Sequence, residues 1–362
     1  MTQPLHKTAR QPARSERADG SDEVPTTQHH TRARFFVSQH LPKLLLLPTV
    51  VLTAIFVYGF IAFSIVVSIS NWNSFGINLN VRSPWYQTYL DLFANPRFQI
   101  DLRNQLIFTV LFLILTTFIG LVVGILVHNV VIARGFFRTL FLAPYALSFI
   151  VAGVVWRWLF NPETGVNLLF DILGVNGALK AAGMEPLKPG WMTDPSVVLS
   201  INDALGSVIP PLRDLGLQLG IPVALIPIVI AASWQVSGFA MAMTLAGLGT
   251  VPVEMIEAAR VDGASSWQVY TRVVVPMLAP TIVSTLVILG WTSLKIFDLV
   301  VAMSGSGPGF ATDVPGIFVY ELTFQAFQYN TGAAASIMML LAVAIVVVPY
   351  LTHTYNRQED AE

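Results

Sequence analysis

The sequence predicts an all-α, polytopic membrane protein with six transmembrane helices. Three observations carry that prediction. Of 362 residues, 54% are hydrophobic and only 11% charged, whereas soluble domains carry about 25% charged residues. Six apolar runs are each long enough to cross a bilayer. Lys and Arg collect on one side of the topology those runs define.

Residues 1–43 read as a disordered cytoplasmic tail. They are polar and of mixed charge, with Pro, Gln and Ser, and cannot bury enough apolar surface to offset the entropy of ordering. The His29–His30 pair is a possible metal-binding dipeptide, but two histidines in a solvated tail need no ligand. The apolar run that follows exceeds the h-region of about 7–15 residues in a signal peptide. Residues 44–352 form the transmembrane domain, and 353–362 a second cytoplasmic tail.

The runs are Leu44–Ser70, Leu106–Val130, Thr139–Phe160, Pro222–Leu248, Met277–Met303 and Gly332–Leu351. About 20 apolar residues cover a hydrocarbon core of roughly 30 Å. Backbone amides in lipid must be satisfied within the segment, so each run is read as a helix. Arg32, Arg34, Lys43, Arg134, Arg138, Arg260, Arg272 and Arg357 all fall on one side if both termini are cytoplasmic. The opposite loops hold Arg82, Arg97, Arg103, Lys180, Lys188 and Arg213, and Ser304–Thr331 has no Lys or Arg. The chain is thus placed in an inner or plasma membrane. The loop 161–221 reads as an extracytoplasmic cap. Within it Val197–Leu219 has Leu205, Val208, Ile209, Leu212 and Leu215 at helical spacing.

Composition also excludes. With no Cys there is no disulfide, thiolate metal site or cysteine nucleophile. A net charge of −1 gives no surplus of cations for phosphates. No Gly-x-x-x-x-Gly-Lys-Ser/Thr loop is present to hold ATP, and no hydrolase triad or zinc-protease motif marks an enzyme. His128 and His353 stand at cytoplasmic span ends, where interfacial solvation accounts for them.

The most informative segment is the cytoplasmic loop 250–276. Pro252 suits a first helical turn, Glu254 and Glu257 favour its positive end, and Ala258 and Ala259 are strong helix formers. Gly263 can take the left-handed conformation that ends a helix. Ser265 and Gln268 fit a capping box that opens a second one. Two short helices around a glycine turn are expected.

That loop resembles the Glu-Ala-Ala loop of ABC-importer permeases. The pattern reads Glu257-Ala258-Ala259, Gly263, Trp267, Tyr270 and Val275-Pro276, with Tyr270 where Phe is usual and Val275 where Leu is usual. Trp234 to Met241, Phe297-Asp298, Ser306 to Thr312 and Asn161 to Asn167 are similar to the sugar-uptake branch, the maltose and glycerol-phosphate type. The resemblance covers Leu44–Leu351, although loop 161–221 is longer than usual. It implies a permease subunit for a sugar, glucoside or glycerol derivative. The implied partners are a second permease, a cytoplasmic ATPase dimer and an extracytoplasmic solute-binding protein. ATP and Mg would belong to the ATPase, and this chain would bind no cofactor. The implied coupling residues are Glu257, Ala258, Ala259, Asp262, Gly263 and Pro276.

For the solute, hydroxyl and amide groups beside aromatics suit sugar rings. Trp234, Gln235, Ser237, Trp291, Thr292 and Ser293 offer that mix, and helix packing through small polar residues explains the Ser and Thr equally well. Lys295 and Asp298 are spaced to pair on one helix face, as pathway groups or as snorkelling ends. Arg157, between two tryptophans, reads as an interfacial anchor. An ion-gradient transporter is the main rival, yet the spans hold almost no carboxylates. The same ABC machinery serving a non-sugar solute is the other.

Overall fold

The computed structural model describes residues 45–129, 132–200, 202 and 217–359. The tail 1–43 with His29–His30, and the expected helical positions Leu205, Val208, Ile209, Leu212 and Leu215, lie outside the described residues.

The chain divides into two units, with the boundary after Phe60. Helix α1 (Leu45–Ser68) runs across that boundary. From Leu45 to Phe60 its side chains are exposed on every face, as befits a helix whose solvent is lipid.

The second unit begins with the remainder of α1, followed by α2 (Gln87–Ala94) and α3 (Pro96–Asn129). Asn95 caps α3 by accepting the Arg97 amide at 2.9 Å, and Pro96 suits the first turn. At 1.5 Å per residue α3 is roughly 50 Å long, so it starts well outside the apolar run from Leu106. The segment from Arg97 to Gln105, which the charge pattern assigns to a loop, is helical.

The third span is bent. α4 (Arg134–Leu142) continues through a 3-10 turn at Ala143–Ala146 and meets α5 (Phe149–Leu159) at 94°. Pro144, lacking an N–H, starts the break, and Ser148 caps α5 by accepting the Ile150 amide. The cap then folds as α6 (Asn167–Ile172), α7 (Val175–Ala181) and an antiparallel pair, β1 (Val197–Val198) with β2 (Ile221–Pro222). Asn167 ties it together: its amide donates to Pro162 O and Pro189 O, and Trp191 Nε1 donates to its Oδ1 at 2.7 Å.

α8 (Leu225–Leu248) packs along α3. Gly120 and Gly124 face Ala240 and Thr244 so closely that any side chain would collide, the small-residue seam by which membrane helices approach. After α9 (Val253–Val261), α10 (Ser266–Met277) joins α11 (Ala279–Leu294) at 65°. α12 (Asp298–Met303), α13 (Pro315–Tyr320), a π turn at Glu321–Gln325 and α14 (Tyr329–Glu359) complete the chain. Among the described residues four helices are long and apolar enough to cross a membrane, and up to six spans result when each bent pair counts as one. Phe108, Phe112, Leu225, Ile228, Leu289 and Leu299 centre the core.

The fifth run, Met277–Met303, is therefore not one helix. α11 stops at Leu294 and α12 restarts at Asp298, so Lys295 and Asp298 do not share a helix face. Among the described residues no ion pair joins them.

Candidate functional site

The loop between the fourth and fifth spans is built as two helices at a fixed angle. α9 ends in a Schellman arrangement: the Gly263 amide donates to Arg260 O and the Ala264 amide to Ala259 O, both at 3.0 Å. That geometry places Gly263 at φ +83°, and the space a Cβ would occupy there has no other atom within 4 Å. Glycine is thus required by backbone conformation and not by crowding. Ser265 then opens α10 with a full capping box: its hydroxyl accepts the Gln268 amide, and Gln268 Oε1 accepts the Ser265 amide at 2.8 Å.

One face of this pair is anchored. Val251, Val269, Val274 and Leu278 are buried beneath it, with Ile256 and Ala259 packed against them. The Tyr270 hydroxyl donates to Asn129 Oδ1 at 2.7 Å, fastening the loop to the end of α3. The other face is free. Glu257, Ala258, Asp262 and Gly263 are exposed, and so is Pro276 at the α10–α11 bend. Val261 and Trp267 are 88% and 77% exposed. Two large apolar side chains thus stand exposed beside the Glu257 carboxylate on this mount.

The expected solute residues separate into three groups. Trp234 and Ser237 line an open pocket of about 620 Å³, with Phe141, Pro144, Leu147 and Trp156. Gln235 and Ser293 turn into the bundle. Gln235 Nε2 donates to Leu147 O at 2.8 Å, satisfying a carbonyl freed by the bend in the third span. The Ser293 hydroxyl donates to Gly290 O at 2.8 Å and meets Thr109 Oγ1 at 3.0 Å. Trp291 pairs with Lys295, whose Nζ stands 4.5 Å from the ring centroid. Lys295, Asp298 and Arg157 are exposed.

A polar cluster at the other end of the bundle escapes the sequence reading. Arg97 reaches Asp313 through Nε and Glu321 through Nη2, both at 2.6 Å. Its guanidinium lies 4.6 Å and 5.5 Å from the ring centroids of Phe310 and Phe318. Asn104 donates its amide to Phe310 O and Asp313 O, both at 2.9 Å, and Asp101 lies buried beside them. Burial pushes the Asp313 carboxyl above the usual carboxylate range, with Arg97 opposing. The turn these groups hold is the Ser306–Thr312 motif. Its Gly307 has φ +69° and lies against the Thr312 side chain, whose hydroxyl donates to Gly305 O. The available signal was the spacing of Arg97, Asp101 and Asn104, which share one helix face.

Residues 116–356 match the family described as binding-protein-dependent transport system inner membrane component. A probable ABC transporter permease protein of Pyrococcus horikoshii, PH1215, is 34% identical over 87% of this chain and 96% of its own length. The xylose/arabinose import permease protein XacH of Haloferax volcanii is 30% identical over 85% and 86%. The sn-glycerol-3-phosphate transport system permease protein UgpA of Agrobacterium fabrum is 28% identical over 85% and 92%. Among solved structures, a chain of a bacterial ABC transporter that imports the acidic polysaccharide alginate superimposes with TM-score 0.63 at 21% identity. The match covers 90% of this chain and 99% of that one, a likeness of fold.

Proposed function

Because this chain belongs to the family of binding-protein-dependent transport system inner membrane components, we propose that it forms one half of the channel of an ATP-driven importer for a sugar or sugar-like solute. The solute class follows relatives named for xylose and arabinose, for starch degradation products and for glycerol phosphate. The observation that carries the proposal is the loop around Gly263: anchored on one face, with Val261 and Trp267 exposed beside Glu257 and Asp262 on the other.

In this reading both termini are cytoplasmic, and a second permease of the same kind completes the channel. An ATPase dimer docks on Glu257, Ala258, Asp262, Gly263 and the exposed Val261 and Trp267, with Ala259 and Pro276 setting the mount. ATP and Mg bind to that dimer, and this chain supplies no catalytic group. When the dimer closes, the loop moves as one body and the bent third and fifth spans swing the passage from inward-facing to outward-facing. Coupling requires the docked loop to have different contact energies in the two states. Solute arrives from an extracytoplasmic binding protein and passes Trp234 and Ser237, with Trp291, Lys295 and Asp298 at its outer end. Charged groups in a span face water or protein, not lipid.

The chain has no Cys, so Ala258→Cys creates a unique thiol. A membrane-impermeant maleimide should label it in inverted vesicles, and addition of the ATPase should protect it. Labelling from the outside of intact cells would overturn the proposal.

A further inference from the structure

The pocket beside the bend of the third span bears on whether the solute is neutral or anionic. Its wall contains a corner of two indoles. Trp156 of α5 and Trp234 of α8 meet edge to face, with ring centroids 5.6 Å apart and planes at 69°. Both line the open volume of about 620 Å³, a size usual for small-molecule sites. Trp234 is 38% exposed, so core packing does not consume it.

The corner is braced from behind. Phe160 is buried and stacks on Trp156, with centroids 5.4 Å apart and planes at 21°. Trp191 of the cap lies against Phe160 at 5.1 Å. Its backbone is in the left-handed region at φ +46°, uncommon for a bulky residue, and its Nε1 donates to Asn167 Oδ1 at 2.7 Å. Four rings thus run in contact from the cap to the pocket.

The wall is uncharged. Among the described residues no charged side chain lines it, and Ser237 brings its one hydroxyl. That hydroxyl donates to Trp234 O at 3.0 Å, which leaves its lone pairs to accept. Arg138 and Arg157, on the two helices that meet at the bend, are exposed and do not line the pocket. A phosphate or carboxylate held here would lose hydration and gain no cation. A neutral sugar loses far less, because the C–H face of its ring packs on an indole while its hydroxyls reach polar groups and water.

We propose that Trp156 and Trp234 determine specificity on this chain's side of the passage, taking the apolar face of a neutral sugar and rejecting phosphorylated and uronic-acid sugars. Trp191 is a positioning residue that holds the corner through Phe160, which gives the long cap a part in solute selection. The inference rests on the reading of this pocket as part of the solute passage.

The chain has no Cys, so Ser237→Cys puts a unique thiol in the pocket. The full chain is purified in an amphipol, because alkyl-glycoside detergents would compete for the corner. Labelling by N-ethylmaleimide is timed with maltose, xylose or arabinose, and with glucose 6-phosphate, sn-glycerol 3-phosphate or galacturonate. A neutral sugar should slow labelling at a concentration about tenfold or more below that needed of any anion. Equal or better protection by an anion overturns the proposal and leaves the passage reading intact. Protection by none of the probes overturns the passage reading, and the proposal with it. Trp191→Ala in the same background should raise the sugar concentration for half-protection about threefold, with labelling in the absence of sugar unchanged. Trp191→Phe, which keeps a ring against Phe160, should recover most of the loss. Unchanged half-protection in Trp191→Ala would remove the cap from the corner. The comparison of neutral with anionic sugars needs only the Ser237→Cys chain, so it stands whether or not Trp191→Ala folds.

Discussion

The Tyr270 hydroxyl lies 2.7 Å from Asn129 Oδ1, linking the loop after the fourth span to the last residue of α3. The loop is thereby held to two spans besides its own helices, through this bond and through Leu121 and Ile125 of α3 and Ile282 of α11. A push on its outer face reaches α3 and α11 together. Tyr270→Phe removes only the bond. It should cost at most about 1 kcal/mol of stability while lowering uptake per ATP hydrolysed in the reconstituted importer. Unchanged stoichiometry would show that the apolar contacts alone transmit the motion.

Gly263 tests the backbone argument. At φ +83° a non-glycine residue is strained by roughly 1–2 kcal/mol, and β-branching raises the penalty. Gly263→Val should insert normally but uncouple hydrolysis from uptake. Gly263→Asn should retain more coupling than Gly263→Ala, because Asn tolerates this region better. The order of solute-stimulated ATPase rates checks it, and equal rates for all three variants would remove the turn from the coupling pathway.

The exposed face should dominate retention of the ATPase. Val261→Asp and Glu257→Lys leave α9 intact, since both side chains point outward, and surface changes of this kind alter stability by about 0.5 kcal/mol or less. Each should reduce co-purification of the ATPase in detergent, with Val261→Asp the more severe because it puts a charge into an apolar contact. Equal yields would place the docking surface elsewhere.

Asn104→Leu should be among the most damaging single changes at the other end of the bundle. It removes the Asn104 donor from the buried Asp313 carbonyl, at about 1–3 kcal/mol, and leaves Phe310 O with the Asp313 amide alone. A fall in melting temperature of the purified chain, without loss of ATPase binding, is the expected result.

The parts of this molecule that are legible in the sequence are those written in local chemistry. The apolar runs, the Schellman turn at Gly263 and the capping box at Ser265 depend on neighbours within a few positions. The bend at Ala143–Ala146 is half written: Pro144 marks it, but the partner that satisfies the freed Leu147 carbonyl, Gln235, is 88 positions away. The break after Leu294 carries no Gly or Pro at all, and a continuous run of apolar residues on both sides conceals it. Gln235 and Ser293 have the right chemistry for a sugar, yet which face of a span looks inward is fixed by packing against helices remote in sequence. Arg97 and Asp313 are 216 positions apart. The charge pattern assigns the first to a loop, and the second follows a turn marked only by its Gly and Pro.

The strand pair near the cap has a practical corollary. Val198 stands opposite Ile221, so the two ends of the segment between them meet on one rung of a ladder. That closeness of ends makes it the natural place for a protein engineer to insert an affinity tag or a new recognition element on this permease.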